Sequence, residues 1–187
     1  SSQPLFLLAR VLCATAQFYR RAGGVEISER LAAEALALGQ RLADAELQGL
    51  AYHELARLAQ VRGDFTTMRI LAEQGCAWAR QTSCSNLQAE SLNDLGVAVS
   101  LCAAPLAATP YFYEALHYLQ QAPNSYLEAH VVTNLGYIHL FSHEYQPACR
   151  YLPQALIWKQ MLSDREGVVT TQLLLGDLWT VLGAYAE

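Results

Sequence analysis

Small and bulky apolar residues return along the chain at a fixed interval of 40 positions. Ala16, Ala56, Gly96, Gly136 and Gly176 form one column, and each follows Thr15, Leu55, Leu95, Leu135 or Leu175. Seven positions after the small residue stand Gly23, Gly63, Ala103, His143 and Gly183, and two further on a bulky or ring residue, Val25, Phe65, Pro105, Tyr145 or Tyr185. Ser28, Met68, Ala108 and Ala148 make a fourth column, and Ala35, Gly75, Ala115 and Ala155 a fifth. Small residues at such intervals let two helix backbones approach closely where they cross. Gly at a turn supplies the positive φ that ends a helix. A single helix pair cannot bury its apolar face alone, so repeated pairs stack.

These columns predict helices at 5–22, 26–42, 45–62, 65–81, 86–102, 109–121, 125–142, 144–161 and 166–182. Short polar linkers at Arg80–Asn86, at Pro123–Ser125 and before Asp164 separate the units. Two places depart from the register. Pro105 and Pro110 delay the second helix of the third unit, with Thr109 expected as N-cap and Pro110 at the first helical position. Pro153 falls mid-helix, where it either kinks the helix or sits on a face that water can reach.

The expected architecture is all-α: one domain over 1–187, with units at about 5–42, 45–81, 86–121 and 125–161 and a partial one at 166–187. The columns resemble the tetratricopeptide repeat (TPR) family over nearly the full chain. That family's usual unit is roughly 34 residues, so this chain resembles its long-unit members. Those occur in bacterial ATP-dependent transcriptional regulators of the maltose-activator kind and in animal polarity and motor-adaptor proteins. Asp44–Gly49 and Asp164–Gly167 add to the likeness, and heavy Ala, Leu and Gln usage leans bacterial. The resemblance implies a right-handed α-solenoid whose first helices line a concave groove.

Composition narrows the function classes. The chain is 53% apolar and 16% charged with net charge −5, and no basic run exists. Nucleic-acid binding is therefore not expected. Arg10, Arg20 and Arg21, the densest basic group, read as a solvated cap. No apolar stretch reaches the roughly 18 residues of a membrane span, and Arg10 interrupts the signal-like run Leu5–Leu8. Cys13, Cys76, Cys84, Cys102 and Cys149 show no paired spacing, which suits reduced thiols in a cytoplasmic protein. The chain reads as part of a larger protein.

Catalysis, cofactor binding and metal binding are not expected. His139 and His143 have ligand spacing, but one occupies a packing column and the other the turn column, and no Cys or Glu accompanies them at matching intervals. No Gly-x-Ser-x-Gly turn or phosphate loop is present.

In the resembling family, groove contacts come from positions just before the Leu and just after the small residue. Here these give His53, Glu54 and Arg57, then Asn93 and Asp94, then Thr133, Asn134 and Tyr137, then Asp177, with Glu90 and His130 three residues earlier on the same face. Asn and Asp are poor helix-interior residues. Asn93, Asp94 and Asn134 therefore either bind a ligand's backbone, bridge neighbouring repeats or meet water. The family's carboxylate clamp does not carry over, because Cys13, His130 and Asn134 hold its basic positions. The groove reads as mixed and slightly acidic, suited to a basic or polar peptide, with apolar contacts from Tyr137, Leu140 and Phe141. The expected role is a non-enzymatic peptide- or protein-binding scaffold or sensor module of a regulatory or signalling protein. Two alternatives stand beside it: self-association through an apolar face at Leu173, Leu174 and Leu175, and sensing of a small effector such as a sugar in a transcriptional regulator.

Overall fold

The computed structural model describes residues 3–103 and 105–184, and among them are nine α-helices, one short 3-10 turn and no strand. In chain order these are α1 (Gln3–Arg21), α2 (Val25–Leu42), α3 (Ala45–Val61), α4 (Phe65–Ala79), α5 (Ser85–Cys102), the 3-10 turn Pro105–Ala108, α6 (Thr109–Gln121), α7 (Ser125–Phe141), α8 (Tyr145–Met161) and α9 (Arg165–Ala184). Each helix packs antiparallel on its sequence neighbour, and α1, α3, α5, α7 and α9 also touch in succession. The fold is a helical repeat, and the odd-numbered helices share one face.

Turn chemistry follows the 40-residue register. Inside hairpins, Gly23, Gly63 and His143 take positive φ values of 84°, 72° and 62°. Between hairpins, Ala43 and Ser163 do the same at 50° and 56°. His143 bears a side chain in that strained region and is tied by its Nδ1 to the Tyr145 hydroxyl at 2.8 Å. At the starts of α3, α7 and α9, Asp44, Asn124 and Asp164 accept the backbone N–H of Leu47, Leu127 and Gly167, each three residues on. An N-cap of this kind is worth about 1 kcal/mol.

Packing explains the columns. Ser28, Met68, Ala108 and Ala148 are fully buried, as are Ala35, Ala115 and Ala155. The first column carries a second rule, because its partner lies 16 residues on, in the facing helix of the same hairpin. Ala16 stands with Ala32, and Ala56 with Ala72, each pair within one buried cluster. Where the small residue is Gly, the partner is large: a Cβ on Gly96 would lie 2.7 Å from the Phe112 ring, and one on Gly136 would lie 2.5 Å from Leu152. A Cβ on Gly176 would meet open space.

As expected, α8 runs through Pro153, whose ring is half-buried. Three expectations change. Thr109 is the first residue of α6 and not its cap, because the 3-10 turn runs straight into the helix, and its hydroxyl has no hydrogen-bond partner. Gly183 continues α9 where a turn was expected, while Tyr185 lies outside the described residues. On α9, Leu173 is 67% exposed, but Leu174 and Leu175 pack with Leu178 against Leu140 and Leu152, so they do not form an open face. All five thiols are free, and burial pushes those of Cys13 and Cys76 up to about 12. Among the described residues no helix is long and apolar enough to cross a membrane.

The two glycine environments predict opposite responses. Gly96→Ala forces a methyl into the buried Phe112 ring, and overpacking of about 1–3 kcal/mol outweighs the helix-propensity gain of about 1 kcal/mol. Gly176→Ala keeps only the gain and should raise stability by about 0.5–1 kcal/mol. Urea denaturation of both variants checks this, and equal effects would refute the packing account.

Candidate functional site

The shared face of the odd-numbered helices carries a buried polar ladder. Arg20 on α1 donates through Nε to Glu54 Oε2 on α3 at 3.0 Å. Glu54 lies 3.8 Å from His53 Nε2, and His53 Nδ1 lies 2.5 Å from Asp94 Oδ2 on α5, off the alignment of a hydrogen bond. Arg57 reaches the other Asp94 oxygen at 3.8 Å. One step on, Asn134 Nδ2 on α7 donates to Asn93 Oδ1 at 2.8 Å. Asn93 and Asp94 therefore bridge neighbouring units, as do His53 and Glu54, and all four are buried.

Burial alone would lower the His53 pKa, but Asp94 and Glu90 raise it above its ordinary value. Burial would likewise raise Asp94, yet His53 and Arg57 hold it below the usual carboxylate range.

Beside the ladder, α1, α3, α7, α8 and the start of α9 border a cleft of about 590 Å³. Its walls carry Arg20 and Arg21 from α1, Arg57 from α3, Tyr126, His130, Thr133 and Asn134 from α7, Lys159 from α8, and Asp164, Glu166, Gly167 and Thr170 around the α9 N-terminus. Lys159 is only 1% exposed. Its ammonium is pinned by Asp164 Oδ2 at 2.9 Å and by the Tyr126 ring at 5.4 Å. Burial pulls the Lys159 pKa down, against the pull of Asp164. Burial, Lys159 and Arg57 push His130 down to about 4, so its ring is neutral near pH 7, with Nε2 buried and without a hydrogen bond.

Of the residues expected from sequence, Arg57, His130, Thr133 and Asn134 meet in this cleft. Glu90 is half-buried beside the ladder. Tyr137 lines a smaller apolar cleft of about 190 Å³ with Val97, Leu101 and Ile138, and Asn134 borders both. Asp177 stands elsewhere, in a cleft of about 540 Å³ with Leu140 and Phe141. His139 and His143 part company: His139 Nδ1 contacts Glu144 Oε2 at 2.6 Å, and among the described residues no group of three possible metal ligands assembles.

The slightly acidic groove is not what forms. Glu54 and Asp94 are buried in the ladder, and the cleft presents four cations against two carboxylates. Arg20 and Arg21 were missed as an end cap. Lys159 had a legible signal, because it stands in a column otherwise held by Gly39, Ala79 and Leu119, all buried. A lysine there needs a partner.

The two histidines should split the pH dependence of stability. His53 has a raised folded pKa, so its contribution is complete below 6.5 and is lost as pH rises through the folded value. His130 is lowered from 6.5 to about 4, so the folded state binds fewer protons than the unfolded chain in that window and loses stability as pH falls through it. Facing His130 are Lys159, Arg57, Arg21 and Asp164. In thermal melts, His130→Gln should flatten the acid limb and His53→Gln the limb above pH 6.5. A wild-type acid limb retained in His130→Gln would contradict this assignment.

No family model matches the chain, and no curated protein matches it. Among solved structures, the crystal structure of BtubC (BKLC) from P. vanneervenii superposes with a TM-score of 0.76 at 22% identity, covering 96% of this chain and 74% of that one. The likeness is one of fold.

Proposed function

We propose that this chain is a non-enzymatic binding module, a scaffold or sensor in a larger regulatory or signalling protein, of the tetratricopeptide-repeat type and working in the cytoplasm. The observation that carries the reading is the cleft. Five helices drawn from the whole array converge on it, bringing Arg20 and Thr170, 150 residues apart in sequence, into the lining of one cleft. Two of its cations, Arg20 and Lys159, are fixed by ion pairs within the array, which suits a rigid receptor more than groups that must exchange protons in a reaction. The excess of cations favours an anionic or polar ligand over a basic one.

A direct test is a binding screen of peptides and small polar metabolites, followed by affinity measurements on variants. Arg57→Ala and Asn134→Ala should each weaken any selected ligand by about tenfold, while Gln74→Ala on exposed α4 surface leaves it unchanged. Ligands indifferent to both cleft variants would overturn the reading.

Self-association is a second reading, and the register favours it. Leu7, Val11 and Phe18 stand 40 residues before Leu47, Ala51 and Leu58, which are buried, yet all three are exposed on α1. A second copy would cover that stripe. Sedimentation velocity over a concentration series should then show a dimer lost in Val11→Glu, and a monomer throughout would dismiss it.

A further inference from the structure

Charge compensation around the cleft is uneven. Glu54 balances Arg20 at 3.0 Å and Asp164 balances Lys159 at 2.9 Å. Asp94 is shared, with His53 at 2.5 Å and Arg57 at 3.8 Å, so Arg57 has only a long contact, and its Nε is buried with no acceptor. Arg21, exposed on the rim, has no ion pair among the described residues. The one carboxylate left on the cleft wall is the exposed Glu166. The guanidinium forks of Arg21 from α1, with no ion pair among the described residues, and of Arg57 from α3, which Asp94, Glu54 and Glu90 favour without a close ion pair, thus face one open cleft.

A carboxylate satisfies one such fork with its two oxygens. A phosphate has three terminal oxygens and two charges, enough to engage both. The hydroxyls nearby say what else the ligand carries. Thr133 Oγ1 donates to the Ala129 carbonyl at 2.7 Å, and Thr170 Oγ1 donates to that of Glu166 at 3.0 Å. With their protons committed, both hydroxyls offer only lone pairs, and Asn134 adds a carbonyl oxygen beside the amide already given to Asn93. Acceptors arranged beside cations fit a ligand with an anionic head and hydroxyl donors, and about 590 Å³ is the volume of a small-molecule site.

We propose that the cleft binds a small hydroxylated phosphate monoester, its phosphate held by Arg21 and Arg57 and its hydroxyls by Thr133, Asn134 and Thr170. This rests on the cleft being the binding site, and it names the ligand's chemistry.

The test is calorimetric titration of the whole chain with ribose 5-phosphate, inorganic phosphate, a phosphoserine peptide and its unphosphorylated form. Ribose 5-phosphate should saturate a single site and bind about tenfold tighter than inorganic phosphate. Arg21→Gln, a surface change with no internal partner to orphan, should weaken both by about tenfold. Arg57→Gln should do the same, and Thr170→Val should weaken ribose 5-phosphate alone. Absence of saturable binding by any phosphate probe, or affinity unchanged in Arg21→Gln, overturns the proposal. So does preference for the phosphopeptide over ribose 5-phosphate, which would keep the phosphate anchor but not the small ester. Binding only of acidic unphosphorylated peptides, weakened by Arg21→Gln and Asn134→Ala, would sink the phosphate and leave the cleft standing as a receptor. A ligand indifferent to every cleft variant would remove the receptor reading itself.

Discussion

The array depends on a charged thread running across its units. Arg20, Glu54, His53, Asp94 and Arg57 join α1, α3 and α5 through buried or nearly buried groups. Taking such groups out of water is expensive, and removal of one partner strands the other. The thread is therefore intolerant of displacement in a way that apolar columns are not. Leu and Ala recur in near-identical form in every unit, so their surfaces alone distinguish poorly between neighbours. The ladder differs at each junction: an Arg–Glu pair between the first and second units, a His–Asp pair between the second and third, an Asn–Asn pair between the third and fourth.

That thread also shapes the binding surface. By drawing Glu54 and Asp94 inward it removes two carboxylates from the open face and leaves guanidinium groups at its edge. The neighbouring apolar cleft at Val97, Leu101 and Tyr137 shares a wall with the basic one at Asn134. Asn134 thus serves structure through Asn93 and stands at the boundary between two chemically different compartments.

The fold was legible because small residues at crossings are a direct imprint of backbone distance. Val25, Phe65, Pro105 and Tyr145 each open the element that the register placed there, and the helix bounds agree to within a residue or two. The site was legible only in part. Sequence placed His53, Asn93 and Asp94 on one face of the first helices, and it did not distinguish partners on the next helix from partners in a ligand. Both readings use the same residue types at the same spacing, and the choice turns on a few ångströms between helices. Arg20 and Arg21 were misread because nothing local shows that the end of α1 approaches the start of α9. That closeness is a sum of small rotations over four units. Where a column was broken, as by Lys159 among Gly39, Ala79 and Leu119, the signal was present in the sequence alone.

The 16-residue rule has a consequence for how such a protein can change its length. Gly96 and Phe112, like Gly136 and Leu152, belong to the same hairpin. Knob and hole travel together whenever a whole hairpin is duplicated or deleted, so shape complementarity survives recombination at the bends near Ala43 or Ser163. The electrostatic thread obeys the opposite logic, because all of its contacts except His53–Glu54, which lies within α3, span a junction. Inserting a hairpin between α2 and α3 would preserve all the knobs and holes while parting Arg20 from Glu54. Steric fit in this chain is inherited unit by unit, whereas charge pairing must be established anew at each seam.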